Sequence, residues 1–285
     1  MKVKNLYILS IIRIMLDGIP KREYPKLFYR YFKEFIEVLS GKTSLKLYLA
    51  LNYPSFYKPK FREGERLKYK GFEFTVPKFI NFSLEMGYIF GLLDGQYSIP
   101  ECHVKAGDVV FDVGAHFGFF SYYAVQRGAK KVYAFEPNPY VFEILKKNAE
   151  MWSEKIKPYQ LALSSKNGEV ELFIPDDELS GVSTILQNRQ NKYKKSVKVK
   201  TTTIDEFVRN NGIERVDFIK IDAEGAEREI IKGAKETIKK FKPRMAIAAY
   251  HLPDDKKVIP ELILSIRDDY KYKLVNKGEE DLFFF

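Results

Sequence analysis

Four ionisable side chains in this sequence stand at the ends of apolar stretches, where a sheet could gather them for chemistry. The run KIDAEGAE places Asp222 and Glu224, two positions apart, just past the mostly apolar stretch FIKI at 218–221. In extended backbone, residues two apart point the same way, so both carboxylates could face one pocket. His251 follows the next apolar stretch, in AAYHLP. An imidazole of ordinary pKa, about 6.5, can take up a proton near neutrality. These groups beside an alcohol would act as general bases, because a hydroxyl is a poor nucleophile until its proton is removed. The competing reading is structural: Asp222, Glu224 and Glu227 all suit the start of a helix, where carboxylates meet the positive end of the macrodipole. A divalent metal held by Asp222 and Glu224 is a further option, but two carboxylates are too few to define a site.

The fourth group is Glu136, and it belongs with a glycine turn. The segment VVFDVGAHFG spans 109–118, and FEPNP spans 135–139. Gly114 can take a tight backbone conformation, and Gly118 allows close approach at the start of the next helix. Asp112, Gly114, Ala115, His116 and Gly118 would line that turn; Glu136, Pro137 and Asn138 would close the neighbouring strand end. Glu136 follows Gly114 by 22 positions, near the spacing at which a carboxylate meets the vicinal hydroxyls of a ribose. A dinucleotide is the rival ligand. Its G-x-G-x-x-G fingerprint would need glycine where His116 and Phe119 stand, and those side chains obstruct a pyrophosphate. A cofactor without phosphates fits the turn better.

The elements that must position these residues alternate from residue 100 onward. Strands are expected at 109–113, 131–135, 157–163, 169–174, 198–203, 216–221 and 244–249. Helices are expected at 117–127, at 140–151, after 203 with Asp205 helping to cap it, and at 227–240. A final pair, 270–275 and 281–285, turns at Lys277-Gly278 and should be antiparallel. This alternation predicts an α/β fold: a doubly wound, mostly parallel sheet with an antiparallel final strand. Residues 101–285 would form that domain. Residues 1–100 would form an N-terminal helical extension and lead-in strands, with helical spacing over 26–40 and a hairpin or a bent strand over 67–76 around Lys70-Gly71.

Composition narrows the partners. The chain has 285 residues and a formal charge of +10, which favours nucleic acid, anionic lipid or acidic glycans. Its single cysteine, Cys102, cannot form an internal disulfide, consistent with a reducing, cytoplasmic setting; a small buried hydrophobe is its expected role. Arg13 and Asp17 interrupt the apolar run at 1–19, which therefore reads as an amphipathic helix packed on the domain or lying peripherally on the inner membrane surface.

Taken in order, DVGAHFG, FEPNP, LALSS at 161–165, TTTIDEF at 201–207 and IKIDAEGAEREIIKGA at 219–234 resemble the FkbM-type methyltransferase family. The resemblance implies a class I, Rossmann-like methyltransferase fold, S-adenosylmethionine as methyl donor, and O-methylation, often of sugar hydroxyls. On that basis Asp112 and the Gly114 turn lie beside the methionine half of the cofactor, Glu136 holds its ribose, and Ala162 and Leu163 flank its adenine. His116 departs from the pattern, since the family commonly has Asn there. The expected reaction is methylation of a sugar, glycan or glycolipid hydroxyl, with Asp222 or His251 accepting the proton and Glu224 beside them. An RNA methyltransferase is the alternative that the charge would suit, though no N-P-P-Y or D-P-P-Y run and no Pro-Cys nucleophile is present. A non-catalytic cofactor-binding module is the third reading.

Overall fold

The computed structural model describes residues 95–175, 183–184, 195–276 and 279–285, together with 66–69, 72–75 and positions 38 and 40. The chain forms two compact units, Met1–Val76 and Pro77–Phe285. In the first, β1 (Arg66–Tyr69) and β2 (Phe72–Thr75) pair antiparallel, Tyr69 opposite Phe72, which is the hairpin expected around Lys70-Gly71. The expected helix at 1–19, and that at 26–40 apart from positions 38 and 40, lie outside the described residues.

The second unit is built on seven strands. In chain order these are β3 (Val109–Val113), β4 (Lys131–Phe135), β5 (Ile156–Tyr159), β9 (Phe218–Ile221), β10 (Arg244–Ala248), β11 (Tyr272–Asn276) and β12 (Glu280–Phe284). Their order across the sheet is β11-β12-β10-β9-β3-β4-β5. All neighbours from β10 to β5 run parallel, and β12 lies antiparallel to both β10 and β11. The fold is therefore the expected mostly parallel sheet with one reversed strand near its edge. The central strands VVFDV and FIKI are buried throughout, as both-face coverage requires. Alternate side chains serve the two faces: Phe111, Ile219 and Ile247 pack with Ile204, Phe207, Ile230, Ile238, Ile259 and Ile263. On the other face the Phe218 ring stacks 6.0 Å from that of Phe120.

Six helices among the described residues supply these layers: α1 (Phe119–Gln126), α2 (Pro139–Trp152), α3 (Ile204–Asn210), α4 (Glu227–Lys232), α5 (Lys235–Phe241) and α6 (Asp255–Ile266). α2 starts where Asn138 accepts from the Tyr140 N–H, with Pro139 at its first position. Thr203, rather than Asp205, caps α3 by accepting from the Glu206 N–H. The Asp205 carboxylate instead accepts from the N–H groups of Glu236 and Thr237 at the start of α5, pinning one helix to the next. The single helix expected over 227–240 is broken at Gly233. A Cβ there would lie 2.1 Å from the Ser164 carbonyl oxygen, so the helix must open where another segment crosses it.

The strand expected over 157–163 also divides. β5 ends at Tyr159, and β6 (Ala162–Leu163) joins a second, three-stranded sheet with β7 (Gly168–Ile174) and β8 (Lys195–Thr202), in the order β6-β8-β7. Pro158 suits β5 because that strand is the sheet edge, where a missing N–H costs no ladder bond. α6 was not anticipated; Pro260 sits inside it, and a proline argues against a helix when only the sequence is read. Arg228 on α4 secures it through Asp254 and Asp255. Cys102 is fully buried, and burial pushes its thiol up to about 12. No helix among the described residues is long and apolar enough to cross a membrane.

Candidate active site at the carboxyl ends of the parallel strands

A cavity of about 290 Å³ opens where β3, β4, β9 and β10 end. Ligands of open parallel sheets bind at this edge, because strand ends and helix starts leave backbone groups pointing outward there. Gly114, Ala115, His116, Glu136, Pro137, Ala162, Leu163, Asp222, Glu224 and His251 all line it. These are residues that the sequence singled out, brought together from five segments. Asp112, Gly118 and Asn138 do not line the cavity. They shape it from behind.

One end is built largely from backbone and apolar surface. The Phe135 carbonyl accepts from the N–H groups of Gly114 and Ala115, tying the turn after β3 to the end of β4. Gly114 has φ of 72°, and a Cβ on it would lie 1.8 Å from the Asp222 carbonyl oxygen. Glycine is needed here for close approach of two protein segments. Gly118 has φ of 88°, and a Cβ would lie 2.7 Å from the Leu145 side chain, so its role is helix packing. Glu136 is buried at 7% exposure, and its oxygens accept from the His116 and Asn138 N–H groups at 2.9 Å each. Burial outweighs those two bonds and pushes its carboxyl up to about 7. Each oxygen keeps a lone pair for a further donor. The His116 ring stacks on Phe117, its centroid 3.9 Å away, while Asn138 caps α2 and donates to Ser183.

Asp112 is fully buried, accepting from the Ser121 hydroxyl at 2.7 Å and facing the Lys220 ammonium at 3.3 Å. Lys220 in turn donates to the Gly114 carbonyl at 2.6 Å. It is the one charged residue of β9, FIKI, and that interruption of a buried strand was a signal available in the sequence.

The other end is a network of ionisable side chains. The Tyr97 hydroxyl donates to Asp222 Oδ2 at 2.7 Å, and the Tyr250 hydroxyl lies 3.3 Å from Oδ1 and 3.1 Å from Glu279. Gln96 also donates to Glu279, at 2.7 Å. Burial and the neighbouring Asp222 carboxylate hold both phenols well above their usual range. Asp281, on β12 opposite Ala248, is 1% exposed; burial, then Asp222 and Glu279, push it up to about 8. His251 is flanked by acids: Nδ1 lies 3.0 Å from Glu227, and Nε2 lies 3.5 Å from Glu224 and 3.8 Å from Asp222. Burial opposes its charge, yet the Glu224 and Glu227 carboxylates prevail and push its pKa up to about 10. Glu227 is fully buried and accepts from the Ala223 and Gly225 N–H groups, bracing the loop that carries Asp222 and Glu224. The helix-start reading thus describes Glu227, whereas Asp222 and Glu224 project into the cavity. Sequence reasoning missed Tyr97, Lys220, Tyr250 and Glu279. Tyr250 adjoins His251, but nothing local marks Tyr97 or Glu279.

Several known proteins resemble this chain. Among curated proteins, the chain is 26% identical over 209 residues to the methyltransferase sdnD of Sordaria araneosa, covering 62% of this chain and 76% of that one. It is 27% identical over 175 residues to the hexuronic acid methyltransferase AglP of Haloferax volcanii, covering 61% and 68% respectively. It is also 27% identical over 150 residues to the 2-O-methyltransferase NoeI of Sinorhizobium fredii, covering 48% of this chain and 61% of that one. Residues 112–274, more than half of the chain, match the family described as the methyltransferase FkbM domain. The chain belongs to the FkbM methyltransferase family, and it is an S-adenosylmethionine-dependent methyltransferase.

Proposed function

We propose that this enzyme methylates a hydroxyl of a sugar, glycan or glycolipid, with Asp222 accepting the hydroxyl proton. The observation that carries the reading is the position of Asp222. Its carboxylate enters the cavity from the end of β9 and receives two tyrosine hydroxyls, while its own backbone packs on the Gly114 turn. The names of AglP and NoeI, a hexuronic acid methyltransferase and a 2-O-methyltransferase, point the same way.

The backbone-built end fits the methyl donor. Glu136 presents two oxygens with spare lone pairs, matched to the vicinal hydroxyls of a ribose, and Ala162 with Leu163 offers a small apolar surface suited to an adenine face. When bound, S-adenosylmethionine supplies an electrophilic methyl group on a sulfonium. The protein's contribution is alignment and deprotonation. Alignment of two bound reactants can be worth about 7–11 kcal/mol, and a positioned base contributes about 10²- to 10⁴-fold. Tyr97 and Tyr250 hold the Asp222 carboxylate in place by donating to it. Both His251 nitrogens face carboxylates, so the ring is arranged to keep a proton and orient Glu224 and Asp222, which leaves Asp222 as the acceptor of the substrate's proton. The formal charge of +10 makes a lipid-linked glycan at an anionic membrane surface the first acceptor to try.

The test is transfer of labelled methyl groups to cell extract separated into lipid-linked glycan, free glycan, RNA and small molecules. Label should enter a glycan-bearing fraction as an alkali-stable ether and fall sharply with Asp222→Asn. Label in RNA, or turnover unaffected by Asp222→Asn, would overturn the proposal.

A further inference from the structure

The side-chain end of the cavity gathers more carboxyl groups than its one imidazole can pair with. Asp222, Glu224 and Glu279 line it and Glu227 and Asp281 are buried nearby, while Lys220 is already engaged with Asp112 and the Gly114 carbonyl. Within this set, one donor atom each from Asp222, Glu227 and His251 lies within 4.8 Å of the other two. Two atoms bound to a common ion at about 2.1 Å are held about 3–4 Å apart, so small side-chain adjustments would complete a site.

A second observation concerns Glu227. Its side chain is fully buried, and Oε2 has no hydrogen-bond partner, although Oε1 accepts from two backbone N–H groups. A buried carboxylate oxygen with nothing donating to it is costly, and the shortfall is met when such an oxygen coordinates a cation. Asp281 Oδ1, on the strand beside β10, is likewise buried without a partner. Bracing the Asp222 loop and facing His251 Nδ1 occupy Oε1 and leave Oε2 without a role in the base assignment.

We propose that Asp222, Glu227 and His251 form a divalent-metal site at the acceptor end of the cavity, the ion displacing the proton that His251 holds between its carboxylates in the metal-free protein. One imidazole and two carboxylates suit ions of intermediate softness, such as Mn²⁺, Fe²⁺ or Zn²⁺, better than the all-oxygen shell of Mg²⁺ or Ca²⁺. This rests on the methyltransferase reading and sharpens it. A hydroxyl oxygen bound to the ion becomes more acidic. Asp222 would bind the ion through Oδ1, which lies 3.8 Å from His251 Nε2, and keep Oδ2 to receive the hydroxyl proton. The oxygen–methyl bond forms as the sulfur–methyl bond breaks, the bonding pair staying on sulfur. No oxidant or reductant is involved.

The experiment is titration of purified, metal-stripped protein with Mn²⁺, following loss of the free-ion electron paramagnetic resonance signal, with Zn²⁺ as competitor. One site per chain is expected, displaced by Zn²⁺ and weakened at least about tenfold by Glu227→Gln and by His251→Gln. Calorimetry with S-adenosylmethionine on the same samples separates the two readings. Protein that gives heat with the cofactor but binds neither ion overturns the metal site alone. Ion binding that is unchanged in both variants places the ion elsewhere and also overturns it. No heat with the cofactor in folded protein overturns the methyltransferase reading instead. Glu227→Gln keeps an oxygen for the Ala223 and Gly225 N–H groups, so the loop stays braced while the charge is lost.

Discussion

The two ends of the cavity solve different problems with different materials. The donor end, at β3 and β4, is made of main-chain turns, small apolar side chains and a single buried carboxylate, Glu136. The acceptor end, at β9, β10 and β12, is made of two tyrosines, a histidine and several carboxylates whose protonation depends on one another. A shared cofactor of fixed shape can be met by rigid backbone. A hydroxyl that must lose a proton needs groups whose charge can change. On the proposed reading, shape is assigned to the main chain and acid–base chemistry to the side chains.

The largest expected effect tests whether the two ends share one backbone contact. Gly114→Ala forces a Cβ into the Asp222 carbonyl and strains a positive φ, so unfolding free energy should fall by about 4–5 kcal/mol in denaturant titrations. A loss under about 1 kcal/mol would show that the turn can slide away from β9. Asp222→Asn comes next, with turnover lowered about 10²- to 10⁴-fold while cofactor affinity by calorimetry stays within about threefold. If affinity collapses as well, the division between the ends is wrong.

Smaller effects belong to the donor end. Glu136→Gln should weaken cofactor binding about tenfold, since bonds to an ionised group contribute about 1.5–3 kcal/mol. Burial raises the Glu136 pKa to about 7, so the free protein holds this carboxyl protonated below that value. Ribose hydroxyls favour the ionised form, so affinity should decline as pH drops from about 8 to about 6. The Gln variant should lack that slope. The smallest change is His116→Asn: the ring lies against Phe117 and the backbone N–H serves Glu136 with either residue. Asn tolerates the left-handed φ of 50° at this position, so binding should stay within about twofold and stability should hold or rise slightly.

The sequence revealed the donor end well because its signals are local. Gly114, Gly118 and Glu136 lie within one β-turn-α-β stretch, where spacing alone implies proximity. Strands β3 and β4 were legible to the residue, since unbroken apolar runs bounded by turn residues have few other uses. The acceptor end was legible only in part. Asp222, Glu224 and His251 announce themselves at strand ends, but Tyr97 reaches Asp222, and Glu279 the Tyr250 hydroxyl, from positions far away in the chain, a meeting that only folding creates. Elements were misread where a tertiary contact overrode local preference. Gly233 breaks a helix to let Ser164 pass, Asp205 caps a neighbour's helix, and 157–163 is shared between two sheets.

The missing side chain of Gly114 has a mechanical consequence. With no Cβ to separate them, the Gly114 loop, proposed to cup the donor, rests on the Asp222 peptide, and the Lys220 ammonium bolts the same loop to that strand. On the proposed reading donor and acceptor are thus mounted on a common bracket, their separation set by abutting peptide groups.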